Sequence, residues 1–152
     1  MGAAWALWAP WALSALCVVW AVTLVVTDVR SRRLPDVLTL PAAVVAVSGA
    51  VWGGDGHAWA VLGGAGWFLL CVLPGLLSRR FTAGGGDAKL ALSLGTVATV
   101  TGGVPGLLLA IGGASVVTLF LAAFPRIRSS GEGVPHGPGM LVATLCSMVI
   151  LS

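Results

Sequence analysis

The sequence predicts an all-α, polytopic membrane protein of six transmembrane helices, a single domain over residues 1–152, and three observations carry that expectation. Hydrophobic residues make up 58% of the chain and charged residues only 9%, which no soluble domain of ordinary composition matches. The apolar residues fall into six runs divided by short breaks of glycine, proline and charge. The 8 basic residues all follow the first, third or fifth run. This alternation also sets direction, because Lys and Arg are retained on the cytoplasmic side. Both termini then face outward, and the loops at 28–36, 79–89 and 125–137 face the cytoplasm.

The first run, 3–27, has no charged side chain, and as a helix it is about 37 Å long, enough to cross a bilayer. It lacks the basic start of a signal peptide and exceeds an h-region in length, so it is expected to remain in the mature protein. Trp5, Trp8 and Trp11 at its start suit an interfacial belt, as do Trp52 and Trp59, whereas Trp20 and Trp67 lie mid-span and suit packing. Pro35 belongs in the first turn of a new helix, which makes the segment from Asp28 to Asp36 a linker and 36–52 the second helix. Asp36 is read as its N-cap. The third run, 58–78, holds Gly63, Gly64 and Gly66, residues that let backbones approach closely. The fourth, 88–101, is about 21 Å long as a helix and spans fully only if flanking glycines enter the membrane plane. The fifth, 105–124, and a short sixth, 138–151, complete the set.

The net charge of +3 would point to an acidic partner in a soluble protein. Here the basic residues sit in loops between spans, where they fix topology and meet anionic lipid, so the bilayer is the partner and nucleic acid is not. Cys17, Cys71 and Cys146 lie singly in three apolar runs, without a CxxC pair or a neighbouring histidine. They read as free thiols packed among helices, and neither a disulfide, a metal nor a cofactor is expected.

Of the five acidic residues, Asp28 and Asp87 stand at apolar helix ends on the same, cytoplasmic, face. An ionisable residue at such a place is a functional candidate by default. Two carboxylates close together in a poorly solvated site share one proton and titrate as a pair. Peptide hydrolysis by an acid dyad requires that arrangement: the ionised member takes a proton from water while the protonated member polarises the carbonyl. Gly84, Gly85 and Gly86 precede Asp87, and an irregular glycine strand there would let an extended substrate lie close and would offer it backbone hydrogen bonds. Asp87 at a helix start also suits an N-cap, which is compatible with catalysis. Lys89 reads equally as an interfacial snorkelling residue or as one that tunes the dyad. Asp55 and His57 read as solvated loop residues, and His136 as a structural or solvated residue on the active face.

Asp28 with Leu34-Pro35-Asp36-Val37-Leu38-Thr39-Leu40-Pro41, then Gly84-Gly85-Gly86-Asp87-Ala88-Lys89-Leu90, then Val134-Pro135-His136-Gly137-Pro138, together resemble the type IV prepilin peptidase family of GxGD membrane aspartyl proteases. The resemblance runs from about residue 27 to about residue 141, and the compact form resembles the minimal peptidases of tight-adherence (Flp-type) pilus systems or archaeal preflagellin peptidases. It implies that Asp28 and Asp87 are the catalytic pair. It also implies that Gly84, Gly85, Gly86, Lys89, Pro135, Gly137 and Pro138 line the substrate site, and that a prepilin-like precursor loses its short basic leader at the cytoplasmic face of the inner membrane. The cysteine-containing insert of larger members is missing, so the resemblance does not extend to N-methylation. His136 stands where the pattern expects an apolar or aromatic residue. Two other classes stay open: a non-catalytic scaffold or transporter subunit whose aspartates bind an ion or partner, and a presenilin-like protease, against which the missing Pro-Ala-Leu element and the small size count.

Overall fold

The computed structural model describes residues 4–31, 33–54, 57–77, 85–124 and 135–151. Within them the chain is all-helical: α1 Ala4–Ser31, α2 Asp36–Trp52, a 3-10 turn at His57–Trp59, α3 Ala60–Leu77, α4 Gly85–Ala122 and α5 Gly137–Leu151. The segments Ala9–Ser31, His57–Leu77 and Gly85–Ala122 are long and apolar enough to cross a membrane, and Asp36–Trp52 and Gly137–Leu151 are apolar but shorter. Large apolar side chains cover the outside, among them Leu13, Leu62, Leu108 and Val149. Such a surface matches lipid and mismatches water.

The fourth and fifth runs of the sequence are one 38-residue helix with a single break. Gly103 has φ 61 and ψ −153, a conformation closed to residues with a side chain, and Pro105 restarts the helix beyond it. The break turns the chain back on itself, since a Cβ placed on Gly106 would lie 2.6 Å from the Ala98 carbonyl, far closer than a straight helix would bring them. The first arm, 85–102, and the second arm, 104–122, are therefore antiparallel neighbours, each about 27 Å long or slightly more.

The first arm is the centre of the molecule. Ala88, Leu90, Ala91, Leu94 and Ala98 on it are buried, and α2, α3 and α5 all pack on α4. Against α3 the backbones nearly touch: a Cβ on Gly64 would run into Thr96 Oγ1 and the Leu92 carbonyl, and one on Gly95 would lie 2.9 Å from Gly64 Cα. Gly63 and Gly64 thus act as the sequence suggests, but Gly66 borders open space. On the other side α5 runs antiparallel to the second arm, with Gly139 on Ala114 and Thr118, Ala143 on Gly113, and Leu151 on Gly106. Hydroxyls buried in this packing bond their own helix, Thr96 to the Leu92 carbonyl, Thr99 to Gly95 and Thr144 to Met140. No buried side-chain N or O among the described residues lacks a partner, as a low-dielectric interior demands.

By contrast α1 touches the bundle mainly along α5. Leu24 is buried, Trp20 is half-buried, and the Trp20 indole donates to the Leu38 carbonyl at 3.0 Å, within a turn of Pro41, which α2 accommodates without a break. Trp67 lies in the core, so both mid-span tryptophans pack as expected. The cysteines are free, but only Cys71 is packed among helices; Cys17 and Cys146 are exposed. Glycine pairs and single contacts of this kind carry the fold in place of a large apolar core, which is how helices associate where lipid competes for apolar surface.

Candidate active site

Antiparallel packing brings the start of the first arm, the end of the second, the end of α1 and the start of α5 to one end of the bundle. Helix α1 runs on to Ser31 instead of stopping at residue 27, so Asp28 stands in its last turn and is 4% exposed. Its Oδ2 accepts a hydrogen bond of 3.0 Å from the Gly137 N–H. That N–H opens α5, where the first amides of a helix have no partner inside it and the dipole is positive. A Cβ on Gly137 would lie 2.8 Å from Asp28 Oδ2, so a larger residue there has to displace the carboxylate.

Asp87 is the third residue of α4, in the first turn, and not its N-cap. Gly85 and Gly86 are helical too, so they form no irregular strand; as the first residues of a helix, their amides have no partner inside it. Gly84 lies outside the described residues, as do Arg79, Arg80, Asp55 and Val134. Asp87 lies within electrostatic range of Asp28, and Cys71 of α3 within electrostatic range of Asp87. No hydrogen bond to the Asp87 carboxyl exists among the described residues.

Leu34 joins the two halves of the site. It is buried, and a Cβ on Gly86 would lie 2.6 Å from its Cβ while one on Gly137 would lie 3.5 Å from its Cδ1. Leu34 is thereby wedged between the glycine that precedes Asp87 and the glycine that binds Asp28. One sequence could reveal the motifs but not this contact; no periodicity marks Leu34 as different from the other leucines around it.

Lys89 pairs with the Asp36 carboxylate at 2.5 Å. Asp36 is the first residue of α2; the N-cap is Pro35, and no side chain caps the helix. The expected capping role of Asp36 is therefore replaced by an ion pair that ties α2 to the first arm. Pro135 is buried just before α5, and Pro138 takes its second position, where a missing N–H costs nothing. His136 is half-buried: its Nδ1 lies 2.6 Å from Thr118 Oγ1 on the second arm. Burial pushes its pKa down while the Asp28 carboxylate pulls it up, the first effect being the larger. The Thr118 contact, like Cys71 beside Asp87, left no mark in the sequence because each depends on helix register.

Chemically, the site offers two carboxyls, one bound by a backbone amide and one open, beside free helix-start amides. Among the described residues no group of three or more His, Cys, Asp or Glu is arranged to hold a metal ion. A family described as the type IV leader peptidase family matches the chain over residues 15–125. That stretch includes Asp28, Leu34, Gly86, Asp87 and Lys89. No curated protein and no solved structure matches the chain.

Proposed function

The chain belongs to the type IV leader peptidase family, and from that premise we propose that it is a membrane aspartic endopeptidase removing the short basic leader of prepilin-like precursors, with Asp28 and Asp87 as its catalytic pair. The observation that carries this reading is the meeting, at one end of the bundle, of the two carboxylates on helices distant in sequence, linked through Leu34 between Gly86 and Gly137. A helix cap or an interfacial charge has no need of a second carboxylate beside it.

In this mechanism a water lies between the two side chains. The ionised carboxylate takes one proton from it as its oxygen attacks the scissile carbonyl carbon, and the protonated carboxyl gives a hydrogen bond, then its proton, to the carbonyl oxygen. The tetrahedral intermediate collapses when the C–N bond breaks and the new amine takes up a proton from the first carboxyl. Both aspartates then return to their starting states. The free amides at the start of the first arm bind the backbone of the extended substrate, which a membrane surface otherwise leaves unpaired.

The reading places the site at the cytoplasmic face of the inner membrane, with six apolar segments crossing and both termini outside. The distribution of the 8 basic residues supports it, and the fold-back at Gly103 supports counting the two arms of α4 as separate crossings. Co-expression with pilin-like precursors, followed by mass spectrometry of the mature N-terminus, tests the function. A mass lower by the leader is the expected result. Unshifted mass with every neighbouring precursor would favour a scaffold or transporter subunit instead.

A further inference from the structure

The two carboxyls have unlike surroundings. Asp28 accepts the Gly137 amide at the positive end of α5, and its chain neighbour on that helix start is His136. Asp87 accepts nothing among the described residues and lies beside a thiol, which offers no charge to balance its own. The ring of His136 is itself fixed. Thr118 Oγ1–H donates to the Ala114 carbonyl at 2.8 Å, and a hydroxyl has one hydrogen, so His136 Nδ1–H is the donor in the 2.6 Å bond to Thr118. Nε2 is left to take up or release a proton while the ring stays in place.

Resting on the dyad reading above, we propose that His136, held by Thr118 within electrostatic reach of Asp28, is a positioning residue that makes Asp28 the ionised, water-activating member of the pair and leaves Asp87 as the protonated member. Burial delays protonation of the ring as pH falls, but once positive the ring favours the charged form of the nearby Asp28 carboxylate and extends activity to lower pH. Among the described residues, the other titratable or charged groups at this end are Arg30 in the last turn of α1, Asp87 and Lys89 on the first arm, Cys71 on α3, Asp36 at the start of α2 and Arg33 in the segment before it. Lys89 and Asp36 neutralise each other. The Asp28 carboxylate acts electrostatically on the His136 ring.

The test is the pH profile of kcat/KM for precursor cleavage by the full chain in detergent, comparing wild type with His136→Gln. Glutamine keeps an N–H for Thr118 but never carries charge. The acid limb is expected to move up by about one pH unit, with the alkaline limb in place. An unchanged profile, or movement of the alkaline limb alone, overturns the role given to His136 and Asp28. A wild-type chain that cleaves no precursor overturns the peptidase reading itself, so the two failures are told apart. A second measurement needs no turnover: nitrogen NMR of the histidine-labelled chain, with His57 assigned through His57→Gln. In Asp28→Asn the His136 titration midpoint should fall by about one unit. A His136 midpoint indifferent to Asp28→Asn removes the electrostatic link on which the inference rests.

Discussion

The two helices that carry the aspartates are held in opposite ways. The first arm of α4 is enclosed by α2, α3 and α5, and its contact with α3 is so close that glycine backbone meets glycine backbone at Gly64 and Gly95. Helix α1 has most of its length exposed, Val18, Val19, Val22 and Val29 included, and is fixed near its end by Leu24, by the Trp20 bond to Leu38 and by Asp28 itself on Gly137. Asp87 is therefore set by the fold, while Asp28 is set by the site. The difference implies that damage to the first arm removes the protein, whereas damage around α1 leaves the protein and removes its activity.

The strongest break of this comparison is Gly64→Leu. A side chain there meets Thr96 and the Leu92 backbone, neither of which can withdraw, and α3 has to separate from the first arm. Little folded protein should accumulate in the membrane, as judged by thermal unfolding in detergent and by protease resistance. Next comes Gly137→Ala, which adds one methyl 2.8 Å from Asp28 Oδ2. Abundance should stay near wild type while leader removal falls roughly 10- to 100-fold, the order expected when a catalytic group is misplaced by about 1 Å. Trp20→Phe keeps the ring contacts and loses the bond to Leu38, so it should cost about 1 kcal/mol and loosen α1 against α2, visible as faster amide exchange in α1. The smallest effect belongs to Lys89→Met. Its ion pair with Asp36 is partly exposed and screened, so the stability change should be about 0–1 kcal/mol and should fade in high salt. A larger loss of cleavage than of stability in Lys89→Met would show that the pair positions α2 for the substrate and does more than tie helices together.

Much of this architecture was legible in the chain. Composition and the runs between charged breaks gave the all-helical membrane class, and Pro35 marked the start of α2 at Asp36. The motif aspartates and Gly137 pointed to residues that come together at one end of the bundle, and Gly86 makes room for the close approach of Leu34. Where the sequence reading missed, the cause lies in register. The extension of α1 past residue 27 depends on Asp28 being bound by α5, since nothing local stabilises a carboxylate in the last turn of a helix. The ion pair of Lys89 with Asp36 and the bond of Thr118 to His136 join residues on different helices, and no spacing within one helix encodes them. Gly103 was visible as a glycine in a breaker sequence, but not as a single-residue reversal without a loop.

The central claim is that Asp28 and Asp87 act as one unit, and a double-mutant cycle on cleavage tests it most directly. Purified wild type, Asp28→Asn, Asp87→Asn and the double variant would be compared in single-turnover cleavage of one precursor, with folding checked by thermal unfolding. Members of a catalytic unit are not additive: losing one removes what the other contributes. Each single variant is expected to lose about 1,000-fold or more in rate, and the double variant to be no slower than either. If one single variant cleaves near the wild-type rate, or if two partial losses multiply in the double variant, the two aspartates do not form a catalytic dyad.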